Sequence, residues 1–367
     1  MSFERGAVSV TVFRIPESLP ENAIELFAAK AAKKLDDIPG DDVSVGWTSG
    51  RNLLELNINE ATAKLGGYIY LNLRIAQRKL PGGAFNAECR KQELDWMTMN
   101  KMEFVPGKVR REIKKEVKEK ALMKIEPQIS GIPFVIDTNA HLLYLGATSP
   151  RKIDTFLAYF HDTFKIEPVQ MCRRDIMFNL FKRDADDLPC VKFAKSAPHQ
   201  TESEHGRDFL TWLWYFSEEK NGHLNLENYG DFEIMIEGPL TFAQTDEAEG
   251  SRETVVRKGN PLRSAEAKTA LDTGKKLKKA KFAIARGKEV WKGTFDVGFF
   301  TFGSLSLPEG EKLLDSDSMF AERVNYLHVF QQAIQAYFAI FAITLGSADW
   351  PKEQERILEW SENRHTC

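Results

Sequence analysis

The chain has 367 residues, of which 43% are hydrophobic and 28% are charged. This balance is typical of a globular protein with a large core, excludes a disordered chain, and at this length suits about two domains. The formal net charge of −3 gives no overall sign of a nucleic-acid partner, so evidence for one must come from local clusters of charge.

The N-terminus, the apolar segments and the cysteines indicate a cytoplasmic protein without a membrane segment. Glu4 and Arg5 interrupt the N-terminus, and no apolar core of a signal peptide follows them. Glutamines break the most apolar run, residues 329–345, so it is too short to span a bilayer and is predicted to be a buried helix. The four cysteines form no CxxC pair, which favours a reducing compartment.

Hydrophobic periodicity predicts mixed strands and helices in the first half of the chain. Period-two alternation predicts strands over residues 7–15, 43–48, 67–74, 133–136, 142–146 and 166–171. Helical spacing predicts helices over residues 21–35, 86–99 and 107–125, and a further helix that begins at Ser149.

The second half opens with a polar segment, residues 184–203, which Pro189 and Pro198 interrupt and which we interpret as a linker or loop. Beyond it, periodicity predicts strands within 224–242 and at 253–257, a hairpin at 280–285 and 290–297, and helices at 208–219, 265–276, 319–345 and 351–362. Ser264 is a suitable N-cap for the helix at 265–276.

Strands and helices are mixed rather than strictly alternating, so we predict an α+β fold with mixed or antiparallel sheets and long helices. Two regions are expected. Residues 1–170 form an α+β region with an inserted basic helix at about 86–126. Residues 171–367 form a second α+β region with a basic helix and hairpin at about 251–292 and terminal helices.

Sequence motifs of catalysis are not found. Gly274-Lys275-Lys276 has Thr269 at the position where a P-loop needs its first glycine, and no GxGxxG is present. Cys190, His199 and His205 match no common zinc spacing. We therefore predict no catalytic residue, no metal and no cofactor.

Three neighbouring acids leave one enzymatic alternative open. Asp184, Asp186 and Asp187 could hold Mg²⁺ in a metal-dependent nuclease, although solvated loop acids have the same pattern.

Positive charge is concentrated in two segments. Residues 101–126 contain nine basic and five acidic side chains. Within this segment Lys108, Arg111, Lys115 and Lys118 recur at helical spacing and form one stripe on a helix. The alternative interpretation is a solvated helix face with pairs such as Glu116 with Lys120.

The second segment, residues 251–292, contains thirteen basic and four acidic side chains in a chain whose net charge is negative. Such a concentration of lysine and arginine suits a protein that neutralises the phosphates of a nucleic-acid backbone. Phosphate contacts carry no sequence information, so the binding would be sequence-independent. The alternative is a surface whose charges only increase solubility.

The order of several short motifs resembles the recombination-associated protein RdgC family. The motifs are Val45-Gly46-Trp47, the segment Leu-Arg-Ile-Ala-Gln-Arg-Lys-Leu-Pro at 73–81, the charged helix at 108–124, and Phe-Val-Ile-Asp-Thr at 134–138, followed by the helix from Ser149. The likeness covers about residues 1–170. The segment 206–214 is similar to a motif of longer, divergent RdgC-like proteins, whereas Glu-Pro-Gln-Ile at 126–129 replaces the Leu-Pro-Arg-Ala-Phe type of segment found in the family.

The resemblance implies a non-enzymatic, nucleoid-associated DNA-binding protein. It implies a homodimeric ring that encircles double-stranded DNA without sequence preference and modulates a RecA-type recombinase. Two alternatives remain, a metal-dependent DNA exonuclease and a protein-interaction module whose basic faces meet an acidic partner.

Thirteen side chains are candidates for phosphate contacts, because they are basic and lie in the segments described above. They are Arg74, Arg78, Lys79, Lys108, Arg111, Lys115, Lys118, Lys268, Lys275, Lys276, Lys278, Lys279 and Lys281.

Overall fold

The computed structural model describes residues 3–38, 42–195, 205–244, 252–310 and 315–364. The chain divides into two compact units. The larger unit comprises Met1–Ser18, Leu65–Ile69 and Val135–Cys367, and the smaller unit comprises Leu19–Lys64 and Tyr70–Phe134. The boundary expected between residues 170 and 171 falls inside the larger unit.

The helices and strands of the described residues confirm the predicted α+β class. The strands are β1 Val8–Arg14, β2 Ser44–Ser49, β3 Lys64–Leu65, β4 Tyr68–Gln77, β5 Gln128–Asp137, β6 Leu142–Leu145, β7 Val169–Gln170, β8 His223–Leu226, β9 Gly230–Ala243, β10 Glu253–Val256, β11 Lys276–Arg286, β12 Glu289–Asp296 and β13 Thr301–Ser306. The helices are α1 Ala23–Ala29, α2 Glu60–Ala63, α3 Gly82–Asn100, α4 Gly107–Leu122, α5 Pro150–Phe164, α6 Arg173–Phe181, α7 His205–Glu219, α8 Ala265–Asp272, α9 Ser316–Leu345 and α10 Trp350–Glu362.

The larger unit is built on an antiparallel sheet with the strand order β10-β9-β11-β12-β13-β1-β6. Its first strand, β1, pairs on one side with β13 and on the other with β6. These pairings join the start of the chain to strands far along it in one sheet. That is why the larger unit is discontinuous in sequence.

One face of this sheet is covered by α7 and α9. Phe209 of α7 lies 6.3 Å from the ring of Phe295 and 5.1 Å from that of Phe338. Phe282 of β11 stacks on Phe330 of α9, with the ring centroids 5.7 Å apart. Along β11 the residues Ala280, Phe282 and Ile284 are buried, whereas Lys279 and Lys281 at alternating positions are exposed. The opposite face of β11 is therefore open to solvent.

The smaller unit has the strand order β5-β4-β2, formed by residues 128–134 of β5, the main part of β4, and β2. Trp47 of β2 is fully buried and contacts Phe27 of α1 and Phe134 of β5, at ring-centroid distances of 5.2 and 5.3 Å. Helices α3 and α4 form an antiparallel pair. The Arg110 guanidinium of α4 forms an ion pair with the Glu93 carboxylate of α3 at 3.1 Å. Val117 of α4 is buried on the side opposite the basic stripe.

Several predictions of secondary structure are confirmed and others are wrong. The helix at 107–125 and the Ser264 N-cap are confirmed, and Ser264 accepts a hydrogen bond from the Ala267 N–H at 3.1 Å. The helix predicted over 21–35 is shorter, and the strand predicted over 166–171 has only two residues. Helix α6 and strand β13 were not predicted.

The described part of the segment 184–203 is a loop, as predicted, but it is not a solvated linker, because Val191 and Phe193 are completely buried. Residues 196–203 of the predicted loop lie outside the described residues. The helix predicted over 265–276 ends at Asp272, and Lys276 already belongs to β11. Gly274, with a φ of 87°, turns the chain between these two elements.

No single helix in the described ranges is long and apolar enough to cross a membrane. Helices α9 and α10 meet that criterion only as a pair, and the pair is bent by 111°.

Replacing Trp47 by alanine should remove the centre of the aromatic cluster in the smaller unit. We expect the free energy of unfolding to fall by about 3–5 kcal/mol, because a large aromatic group is deleted from a closed core. Urea unfolding followed by circular dichroism measures the change. Phe104→Ala is the control, since Phe104 is 65% exposed, and it should change stability by less than about 0.5 kcal/mol. Equal effects of the two substitutions would contradict this assignment of the core.

Candidate nucleic-acid interface

Arg74 is a buried residue of β4 and binds main-chain carbonyls of the smaller unit. Its Nη2 donates to the carbonyl oxygen of Lys33, and its Nη1 donates to that of Leu53 at 3.3 Å. Burial lowers the pKa of the guanidinium. Arg74 is only 1% exposed, so it fixes two loops and does not present its charge to a ligand in this conformation.

Arg78 is half-buried at the C-terminal end of α4. Its Nη1 donates to the carbonyl oxygens of Leu122 at 3.2 Å and Ile125 at 2.9 Å. A cation at this end of a helix satisfies free carbonyls and complements the helix dipole. Arg78 therefore holds the end of α4, whereas its neighbour Lys79 is exposed.

Helix α4 presents the predicted basic stripe to solvent. Lys108, Arg111, Lys115 and Lys118 are all exposed, and their spacings of three and four residues place them on one face of the helix. The Lys115 ammonium is 4.0 Å from a carboxylate oxygen of Glu119, the outer limit of an ion pair. The ion pair between Glu116 and Lys120, expected for a solvated helix face, is also present, with the two charged groups 3.3 Å apart.

Lys275 and Lys276 are buried, although both were candidates for phosphate contacts. Lys275 Nζ donates to Thr254 Oγ1 at 2.7 Å. Lys276 Nζ forms an ion pair with Asp208, which is fully buried, and lies 3.3 Å from Cys190 Sγ. A buried ammonium needs such partners because its loss of hydration is otherwise costly.

The Asp208 carboxylate connects three segments of the larger unit. One oxygen binds Lys276 of β11, and the other accepts the Val191 N–H at 3.2 Å. Burial, reinforced by the negative charge of Asp208, raises the pKa of the nearby Cys190 thiol. Cys190 is therefore held as a neutral thiol, and this buried cluster has a structural role.

Two further candidates are bound internally. Lys268 of α8 is half-buried, and its Nζ donates to the carbonyl oxygens of Glu362 at 2.9 Å and Arg364 at 3.2 Å. Lys278 pairs with Glu253 at 2.5 Å, and this contact lowers the pKa of the Glu253 carboxyl. These contacts tie α8 to the end of α10 and β11 to β10.

Lys279 and Lys281 occupy the open face of the sheet. The Lys279 ammonium is 3.8 Å from the Asp296 carboxylate on β12. Lys281 is exposed and lies in register between Glu237 of β9 and Thr294 of β12. The neighbouring strands thus bring acids beside lysines that are concentrated in the sequence, and the local positive charge is smaller than the sequence count implies.

Lys292 of β12 shares this open face and was not among the candidates. It is exposed between the buried Trp291 and Gly293, and in register it faces Ala283. Period-two alternation along β12 is the signal that identifies it. With Lys279 and Lys281 it forms the sheet-face lysines.

The three acids of the nuclease alternative lie at an exposed turn. Asp184 Oδ1 accepts the Asp186 N–H at 3.1 Å, and Asp186 pairs with Arg174 at 3.0 Å. Within the described ranges, no group of three or more His, Cys, Asp or Glu side chains is arranged to hold a metal ion.

Comparison with known proteins supports the resemblance drawn from the sequence motifs. The model of the RdgC family, described as "Putative exonuclease, RdgC", matches residues 8–176. A search of curated proteins gives no match. The matched residues include α4 and its basic stripe.

Replacing Lys276 by methionine should test whether this lysine is structural. The substitution leaves the Asp208 carboxylate without its ion-pair partner, so we expect the free energy of unfolding to fall by about 3–5 kcal/mol. Lys281→Met, on the open face, should change it by less than about 0.5 kcal/mol. Thermal and urea unfolding provide the measurement. A Lys276→Met protein of unchanged stability and weakened DNA binding would instead make Lys276 a ligand contact.

Proposed function

The chain is a member of the RdgC family, whose model matches residues 8–176, and we propose that it binds double-stranded DNA without sequence preference. Family membership implies a DNA-binding role related to recombination or replication. Binding to the duplex through its phosphates alone is supported by the exposed side chains among the phosphate-contact candidates, which are mainly lysines.

The basic stripe of α4 is the observation that carries this proposal. Its four cations, Lys108, Arg111, Lys115 and Lys118, share one exposed helix face and belong to the matched part of the chain. Three of them are lysines, which bind phosphate as point charges rather than as planar forks aimed at base edges. Each phosphate that such a residue neutralises releases counterions, so these contacts supply affinity without sequence discrimination.

The sheet-face lysines and Lys79 are secondary candidates for phosphate contacts. Lys281 and Lys292 are exposed, but Glu237 and Asp296 lie on the neighbouring strands. Acids beside a phosphate site weaken it by repulsion. We therefore expect the sheet-face lysines to contribute less per residue than the α4 stripe.

The assembly and its role in the cell follow from the family resemblance and are part of the same proposal. We propose a homodimeric ring that encircles the duplex, associates with the nucleoid and modulates a RecA-type recombinase. Light scattering would detect the dimer. A ring also predicts that retention on a linear duplex at high salt requires bulky groups that block both ends.

A metal-dependent exonuclease is the second candidate, because the description of the matching family model names an exonuclease. The described residues offer Asp184, Asp186 and Asp187 only as exposed turn acids. Incubation of linear duplex with Mg²⁺ or Mn²⁺ separates the two functions. Degradation that Asp186→Ala abolishes would favour the nuclease, and intact DNA would favour binding alone.

Changing Lys108, Arg111, Lys115 and Lys118 together to glutamine should weaken duplex binding. If each makes one phosphate contact, we expect the affinity at low salt to fall by at least about tenfold, equivalent to about 1.4 kcal/mol. Fluorescence anisotropy with two duplexes of unrelated sequence measures the effect, which should be equal for both sequences.

The matched control removes the same number of positive charges elsewhere, by changing Lys152, Lys165, Lys352 and Arg356 to glutamine. These residues lie on or next to α5 and α10 and are all exposed. The control should retain most of the affinity. If both variants lose affinity equally, binding depends on net charge alone and the α4 assignment is wrong.

A further inference from the structure

A groove in the larger unit lies where the first turns of α5 and α6 meet the turn between β12 and β13. Its cavity volume is about 410 Å³. Its walls include Ile153 of α5, Arg173 and Arg174 of α6, and Phe299 and Phe300 of the turn. A volume of this size is typical of sites for small ligands.

Two arginines line the groove. Arg173 and Arg174 open α6, and the N-cap residue Cys172 supplies no side-chain hydrogen bond to the free N–H groups of the first turn. The partner of Arg174 is Asp186 at 3.0 Å, an exposed pair that water screens strongly. Two guanidinium groups beside free helix amides favour a doubly charged anion such as a phosphate monoester.

An exposed aromatic ring also lines the groove. Phe299 is 52% exposed, whereas its neighbour Phe300 is buried. The Gln170 amide donates to the Phe299 carbonyl oxygen at 2.6 Å and holds the turn in place. An exposed phenyl ring on a fixed turn is a platform on which a nucleobase can stack.

We propose that this groove binds one nucleotide, with its phosphate on Arg173 and Arg174 and its base against Phe299. The ligand class is a nucleoside monophosphate, supplied either free or as the phosphorylated end of a nucleic-acid strand. Asp154, which also lines the groove, can accept a hydrogen bond from an amino or imino group of the base. An acidic peptide could pair with the arginines, but its carboxylates would not donate a hydrogen bond to Asp154, as the amino or imino group of a base can.

This site is separate from the proposed duplex interface, because none of its lining residues is among the phosphate-contact candidates. The inference therefore goes beyond the proposed function and does not require it. Loss of nucleotide binding with duplex binding retained would overturn this site alone, and the reverse result would overturn the duplex proposal alone.

Calorimetric titration of the full chain with deoxyadenosine monophosphate tests the site. Deoxyadenosine, inorganic phosphate and an acidic peptide that ends in phenylalanine are the comparison ligands. We expect the monophosphate to bind more tightly than all three. Arg173→Gln and Phe299→Ala should each weaken it by about tenfold, since each removes a charge-assisted contact or a stacking partner. Arg183→Gln, an exposed arginine outside the groove, is the matched control and should have no effect.

Cys172 gives a second measurement that does not depend on the heat of binding. It lines the groove and is half-buried, so the bound nucleotide should slow its modification by a maleimide, as followed by peptide mass mapping. An oligonucleotide with and without a terminal phosphate distinguishes a strand end from a free nucleotide. Absence of monophosphate binding, equal binding of deoxyadenosine, tighter binding of the peptide, or unprotected Cys172 would overturn the proposal.

Discussion

The internal pairing of cations determines which positive charges this protein can present to a ligand. Lys276 is bound to the buried Asp208, and Arg74 is bound to the carbonyls of Lys33 and Leu53. These contacts are forced, because a buried cation without partners would cost several kcal/mol. The same residues therefore stabilise the two units and are removed from the set that can meet DNA. Of the phosphate-contact candidates, those that remain exposed are the α4 stripe, Lys79, Lys279 and Lys281.

Local patterns predicted the elements well, and distant contacts explain what they missed. Helix α4 could be predicted because its apolar line and its basic stripe repeat within one segment, and the structure has both. The buried ion pair of Lys276 could not be predicted, because its partner Asp208 is 68 residues away in the sequence. The two residues meet only when α7 packs on β11. Glu237 likewise becomes a neighbour of Lys281 only through strand pairing. Helix α6 was missed because its exposed Phe178 and Leu180 interrupt the expected amphipathic pattern.

The positive charge of the second basic segment is thus largely a feature of the linear sequence. Once β11 lies between β9 and β12, acids from both neighbours stand beside its lysines, and Lys275 and Lys276 are covered. The α4 stripe stays exposed as a set, because its four cations share one solvent-facing side of a helix, although Glu119 lies 4.0 Å from Lys115. This difference between a helix and a central strand is why the proposed duplex interface is centred on α4, within the part of the chain that matches the RdgC family.

The salt dependence of wild-type binding to a duplex of about 30 bp without divalent metal tests most directly whether the α4 stripe binds phosphates. We expect log K to fall linearly with log salt concentration, with a slope of about −0.9 for each phosphate contact, and so about −3.6 or steeper if all four cations of the α4 stripe are engaged. The slope should be the same for unrelated sequences. No binding at low salt, or binding that does not change with salt, would contradict phosphate binding by the α4 stripe and leave α4 as a solvated helix.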